Sequence, residues 1–185
     1  VFTLNPIGDQ GPGLPVALLS RLSGRAFVRG QVLAGLVIAI PLGTILTAAV
    51  GLASPLALER VLLLTALAPV VMVLASLLAI GVGTAFPRFE SVKITRSMRA
   101  LVPSLVGFTL FTAYLFATAA AVVLTIDAGL RPLAASLLSW LLPGGLSIAA
   151  DTLGLVATGS LILLVLLPLF SYRYAVRRFD RYTVG

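Results

Sequence analysis

VLAGLVIAIPLGTILTAAVGLA, residues 32–53, is the stretch of sequence that decides the fold. It contains no charged residue. A helix rises about 1.5 Å per residue, so about 20 apolar residues cross a hydrocarbon core of roughly 30 Å. The stretch is therefore predicted to be a membrane-spanning helix, in which neighbouring helices tolerate a kink at Pro41.

Three further stretches, 61–86, 104–126 and 152–171, are equally free of charge. Of the 185 residues, 59% are hydrophobic and 10% are charged, whereas roughly a quarter of the residues in a soluble domain are charged. This leaves too little polar surface to cover a water-soluble globule. We predict an all-α integral membrane protein, a single membrane domain over residues 1–185 with four transmembrane helices.

The basic residues predict the orientation, because their excess near the ends of spans lies on the cytoplasmic side. Alternating the segments places eleven of the thirteen on one side and leaves Arg60 and Arg131 on the other. We predict a multi-pass protein of the cell membrane with both termini in the cytoplasm. A fifth span at 132–150 would put the C-terminal arginines outside, against this rule. The placement of the basic residues between the spans explains the net charge of +7. No nucleic-acid partner is therefore predicted.

Residues 1–31 are predicted to form a cytoplasmic loop and then a helix that lies along the membrane surface. Apolar residues recur every four positions from Leu14 onward, and three arginines recur at the same spacing from Arg21 onward. This pattern is typical of an interfacial helix. Gly24 is expected to interrupt it.

The other connections are predicted as a basic cytoplasmic loop at 87–103, an external segment at 127–151 and a cytoplasmic tail at 172–185. The external segment contains an apolar run, Pro132–Leu142, that is too short to cross a bilayer. It is predicted to be a short re-entrant or interfacial helix. Trp140 fits such a position because its ring is amphipathic.

No catalytic, cofactor-binding or metal-binding residue is predicted. The chain has no cysteine and no histidine, which excludes thiol nucleophiles, imidazole bases and the usual nitrogen and sulfur metal ligands. No span carries Asp, Glu, Lys, Arg or His in its interior, where such residues generally mark ion pathways or proton relays. The driving energy for any transport is expected to enter from outside the membrane, unless relay residues lie upstream of Val1, where the chain is predicted to continue.

Two stripes of small residues at a spacing of four are candidate helix-packing surfaces, because small side chains let helix backbones approach closely. The second and third spans carry one stripe each: Ala75, Ala79 and Gly83, and Ala113, Ala117 and Ala121. The general abundance of alanine explains the spacing equally well. The third span also carries four hydroxyl side chains, Thr109, Thr112, Tyr114 and Thr118. They either line a pathway or, as is more common, bond to their own helix backbone.

Two motifs resemble those of the ABC-2-type permeases, the membrane subunits of ATP-binding-cassette exporters. Residues 18–31, LLSRLSGRAFVRGQ, are similar to the cytoplasmic coupling segment of that family, in which Gly-Arg and then Gly-Lys lead into the third helix. Gln31 stands where the family has the lysine. Residues 83–90, GTAFPRFE, look like the Gly-x-x-Phe-Pro-x-Phe-acid ending of the fourth helix. The chain resembles everything in the six-helix family from the coupling segment onward.

The resemblance implies that the segment from Leu14 to Gly24 sits in a groove on a separate ATPase subunit, whose closure tilts the helices. It implies that Leu18, Leu19 and Leu22 anchor this contact and that Arg21 and Arg25 meet acidic groups or lipid phosphate. ATP hydrolysis is expected in the partner, because this chain has no phosphate-binding loop of the Gly-x-x-x-x-Gly-Lys-Ser/Thr type.

The function expected from these observations is that of a permease subunit that couples an ATPase partner to substrate efflux. A second permease subunit and membrane lipid are the other expected partners. Two alternatives stay open at this stage: a membrane scaffold that transports nothing, and an ion-coupled carrier whose ionisable residues lie in a missing N-terminal part.

Overall fold

The computed structural model describes residues 4–6, 23–88, 91–93, 99–101, 104–141 and 148–181. Helices make up most of this structure, and they are α1 (Gly24–Ala53), α2 (Leu58–Ala85), α3 (Leu105–Ile126), α4 (Arg131–Leu141) and α5 (Ala150–Asp180). A 3₁₀ turn, Ala128–Leu130, precedes α4. The part of the predicted coupling segment before Ser23 lies outside the described residues, and its remainder, 23–31, forms the N-cap and the start of α1.

A short antiparallel ladder lies in the segment predicted as the basic loop 87–103. Strand β1 (Ser91–Lys93) pairs with β2 (Arg99–Leu101), and Val92 is opposite Ala100. The described structure is therefore helical except for this three-residue pairing.

Four of the described helices, α1, α2, α3 and α5, are long and apolar enough to cross a membrane. Many of their large side chains are exposed, with Val37 at 73% and Leu163 at 69%. Soluble monomers rarely expose apolar surface on this scale, whereas lipid is a suitable solvent for it. The four predicted transmembrane helices are confirmed by length and composition, and they indicate a multi-pass membrane protein.

Two of these helices extend well beyond the uncharged stretches of the sequence. Helix α1 begins at Gly24, not at residue 32, and α5 continues to Asp180, not to residue 171. Both extensions carry apolar residues that are buried against each other, including Phe27 and Phe179. Tertiary packing therefore prolongs the helices past the lipid-spanning stretches. Gly24 is the first residue of α1, and Ser23 before it has an extended backbone conformation.

The chain forms two compact units, one of residues 1–111 and 168–185 and the other of 112–167. In the first unit, α1 and α2 form an antiparallel hairpin across the turn at 54–57. Glycines on α1 make room for side chains of α2: a Cβ at Gly51 would lie 2.8 Å from Val61 Cγ1. The two helices approach closely because these positions have no side chain.

The core of the first unit lies where α1, α2 and the end of α5 meet. Its buried residues are Phe27, Val28, Val32, Leu36, Ile80, Ala175, Val176 and Phe179. Beside it, the Ser171 hydroxyl donates to the Leu78 carbonyl at 3.0 Å. A Cβ at Gly81 would lie 2.6 Å from the Ser171 carbonyl oxygen, so glycine is required for this approach.

In the second unit, Arg131 holds the end of α3. Its Nε donates to the Leu124 carbonyl at 2.8 Å and its Nη2 to the Thr125 carbonyl at 3.1 Å. The last carbonyls of a helix have no partner within the helix, so this arginine satisfies two of them. A Cβ at Gly154 would lie 2.8 Å from the Arg131 guanidinium carbon, which explains the glycine on α5.

Tyr114 links α3 to α5 in the same unit through its phenol hydroxyl, which donates to the Leu164 carbonyl at 3.0 Å. That carbonyl has no helical donor, because the residue four positions on is Pro168, which lacks an N–H. Thr118 follows the expected local pattern and donates to the Tyr114 carbonyl at 2.8 Å. Tyr114 thus gives the Leu164 carbonyl the hydrogen bond that Pro168 cannot donate.

We expect Tyr114→Phe to lower the free energy of unfolding by about 1 kcal/mol, because it leaves the Leu164 carbonyl without a donor in an apolar setting. Titration with a denaturing detergent in mixed micelles measures the change. Tyr174→Phe, which removes the hydroxyl of an exposed tyrosine, is the matched control and is expected to have no effect. Equal stability of the two variants would contradict the role given to Tyr114.

Candidate functional site

The N-terminal end of α1 and the C-terminal end of α5 are joined at one place. The Ser23 hydroxyl accepts from the Ala26 N–H at 3.3 Å, and the Gly24 N–H donates to Asp180 Oδ1 at 2.7 Å. Free N–H groups at a helix start carry partial positive charge, so both acceptors stabilise it. Asp180, the last residue of α5, therefore acts as a second N-terminal cap of α1.

Aromatic stacking reinforces this joint one turn further along. The rings of Phe27 and Phe179 lie 4.2 Å apart between centroids, with an angle of 14° between their planes. Val28 and Ala175 beside them are almost fully buried. Stacked aromatic pairs contribute about 0.5–1.5 kcal/mol beyond the burial of their area. The two helix ends are therefore expected to move together.

Gly24 is what allows the close approach. A Cβ there would lie 2.6 Å from both Asp180 Oδ1 and the Val176 carbonyl oxygen. A side chain at this position would push the two helix ends apart and break the hydrogen bond to Asp180.

A cleft of about 330 Å³ opens beside the joint. We call it the basic cleft, and its lining residues are Arg25, Arg29, Tyr172, Arg173, Val176, Arg177 and Asp180. Four guanidinium groups and one carboxylate give it a positive charge. Arginine presents several donors in a planar fork that suits phosphate and carboxylate groups. The arrangement can bind an anion.

Of the coupling residues implied by the resemblance, Arg25 alone lies in the described structure, exposed in the first turn of α1. Leu18, Leu19, Arg21 and Leu22 lie outside the described residues. Arg25 shares the basic cleft with arginines of α5 that the sequence analysis had counted only as a signal of topology.

The stripe on α2 is buried along its whole length. Ala75 is 8% exposed and Ala79 is 2% exposed. Gly83 faces a stretch of chain from the N-terminal region, since a Cβ there would meet the Leu4 backbone and Pro6.

That stretch is held in place by Asn5, whose side chain bonds to the backbone of Arg88 just after α2. The Asn5 amide donates to the Arg88 carbonyl at 2.9 Å, and the Arg88 N–H donates back to Asn5 Oδ1 at 3.1 Å. These bonds hold the backbone of Arg88, the last residue of the Phe-Pro-Arg connection that follows α2.

The stripe on α3 is buried at one of its three positions only. Ala121 is buried, whereas Ala113 and Ala117 are exposed. The buried face of α3 carries Tyr114 and Thr118 instead.

The sequence analysis missed the partners that assemble this site, above all Asp180 and Phe179. Asp180 is the single acid among the residues after the last uncharged stretch. The only signal in the sequence was that Phe179 and Asp180 are neighbours in a basic tail. Their partners, Gly24 and Phe27, are far away in the sequence, so the contact could not be predicted from this signal.

Within the described ranges, no group of three or more His, Cys, Asp or Glu side chains could hold a metal ion. Comparison of the chain with protein-family models, with curated proteins and with solved structures finds no match. The class of protein therefore rests on the fold itself, which is that of a multi-pass membrane protein.

We expect Asp180→Ala to lower the free energy of unfolding by about 1 kcal/mol, because it removes the acceptor of the Gly24 N–H. Amide hydrogen exchange at Gly24 should become faster in the same variant. Asp180→Asn is the matched control, since it keeps an oxygen acceptor and should retain part of the protection. Unchanged exchange at Gly24 in the alanine variant would show that Asp180 does not cap α1.

Proposed function

We propose that this protein is the membrane-spanning permease subunit of an ATP-driven exporter of the ABC-2 type, which couples a separate ATPase subunit to substrate efflux. The observation that carries the proposal is the joint between α1 and α5. The coupling-like segment leads directly into the first turn of α1, and Asp180 and Phe179 tie that turn to α5. A second permease subunit completes the export path.

The joint gives the proposal a mechanical basis. A force applied to the segment before Ser23 acts on the start of α1, a helix of 30 residues. The cap at Gly24 and the stack at Phe27 pass the force to α5 as well. Packed cores and helix joints move as units, so one contact with an ATPase could tilt two spanning helices together.

The charge distribution along the helices supports an external energy source. The Asp, Glu and Arg residues of α1, α2 and α5 lie near the helix ends, and α3 contains no Asp, Glu, Lys or Arg. A carrier driven by protons or cations needs ionisable groups at membrane depth. A separate ATPase supplies the energy without them.

The basic segments are proposed to face the cytoplasm, as the excess of arginine and lysine indicates. Because the natural chain has no cysteine, single cysteines report topology cleanly. We expect Thr95→Cys to resist a membrane-impermeant maleimide added to intact cells and to react after the cells are opened. Ser136→Cys, on the exposed surface of α4, is the matched position expected to react from outside. The reverse labelling pattern would invert the proposed orientation.

The ATPase contact is tested by placing charge in the coupling-like segment. We expect Leu18→Asp combined with Leu22→Asp to abolish co-purification with a nucleotide-binding subunit and to abolish transport, because the ATPase groove would then bury two carboxylates. The control is Leu133→Asp combined with Leu137→Asp, which makes the same change at exposed leucines four apart on α4.

The control variant should keep the ATPase partner bound. Transport and co-purification that survive Leu18→Asp with Leu22→Asp would remove the coupling role of this segment and, with it, the proposed function.

A further inference from the structure

The basic cleft concentrates positive charge contributed by two helices. Arg25 and Arg29 come from α1, and Arg173 and Arg177 come from α5. Asp180 is the acid among the described lining residues, and one of its carboxylate oxygens already accepts from the Gly24 N–H. The described lining of the cleft therefore sets four guanidinium groups against one carboxylate, which leaves an excess of positive charge.

Exposed apolar side chains continue from the cleft along both helices. On α1, Leu33 is 61% exposed and Val37 is 73% exposed, one and two turns beyond Arg29. On α5, Leu169 is 45% exposed and lies one turn before Arg173. Four residues of helix advance about 6 Å. A molecule that occupies the cleft thus meets guanidinium groups at one end and lipid-facing helix surface immediately beyond them.

A ligand that joins an anionic group to apolar chains fits a basic cleft that adjoins exposed apolar helix faces. The ends of spanning helices lie at the level of lipid headgroups, where basic pockets between helices bind phosphate-bearing headgroups. Arginine forms paired hydrogen bonds to phosphate oxygens, which a single ammonium group cannot do. Free phosphate would use the arginines but would leave the adjoining apolar faces without a role.

We propose that the basic cleft is a binding site for the headgroup of an anionic phospholipid, whose acyl chains run along the exposed faces of α1 and α5. Arg173 and Arg177 hold the phosphate from one helix, and Arg25 and Arg29 hold it from the other. The site goes beyond the proposed export role and does not depend on an ATPase partner.

The test uses the full chain in a neutral detergent and native mass spectrometry of its lipid adducts. Phosphatidylglycerol and phosphatidylcholine with identical acyl chains are titrated separately, and inorganic phosphate is added as a competitor. We expect Arg173→Gln with Arg177→Gln to weaken phosphatidylglycerol binding about thirtyfold, since each arginine contributes about five- to sixfold at the membrane surface.

The matched control is Arg178→Gln with Arg181→Gln, which removes the same charge from the same end of the chain. Arg178 lies over the Tyr174 ring, 6.0 Å from its centroid, and neither residue lines the cleft. The control is expected to change the affinity less than threefold. If the cleft variant fails to fold by circular dichroism, the single changes Arg173→Gln and Arg178→Gln give the same comparison.

Selective phosphatidylglycerol adducts that the cleft variant weakens and the control does not would establish the site. Equal weakening by both pairs would mean diffuse surface charge and would overturn it. Equal binding of phosphatidylcholine, or displacement of the lipid by inorganic phosphate at equal concentration, would also overturn it. None of these outcomes tests the association with an ATPase, so each proposal can be contradicted without the other.

Discussion

Every backbone N–H and C=O at membrane depth needs a partner within the protein, and the rest of this structure depends on that constraint. Water is absent there, and each unpaired group costs several kcal/mol. Pro168 breaks the helical ladder of α5, and the Tyr114 hydroxyl takes up the carbonyl that is freed. Arg131 does the same for two carbonyls at the end of α3. Tyr114 and Thr118, two of the hydroxyl side chains that could have lined a pathway, are engaged in hydrogen bonds to backbone carbonyls.

The four spans could be predicted because each is a local property of the chain, namely a run of about 20 uncharged residues. The ends of α1 and α5 could not be predicted in this way. Both helices continue into charged segments because Phe27 and Phe179 bury each other, and these residues are far apart in sequence. A hydropathy pattern marks where lipid begins and ends, whereas a helix ends where its packing and its caps end.

Helix-packing faces were harder to identify for a different physical reason. In a soluble helix, polarity distinguishes the buried face from the exposed one. In lipid both faces are apolar, so the spacing of small residues shows which residues share a face but not which face meets protein. The stripe on α2 is buried from Ala75 to Gly83, whereas on α3 the buried face carries Tyr114 and Thr118, with Ala113 exposed.

Asp180 connects the mechanical joint with the basic cleft. Its carboxylate lines the cleft together with four arginines, and one of its oxygens accepts from the Gly24 N–H at the start of α1. A helix N-terminus attracts negative charge because its free N–H groups point outward. The acid is thus used to hold two helices together, and the neighbouring arginines keep their capacity for an external anion. A displacement that separates α1 from α5 would break this hydrogen bond and move Arg25 and Arg29 away from Arg173 and Arg177, because each pair lies on its own helix. The hydrogen bond that joins the two helix ends therefore also keeps both pairs of arginines on one cleft.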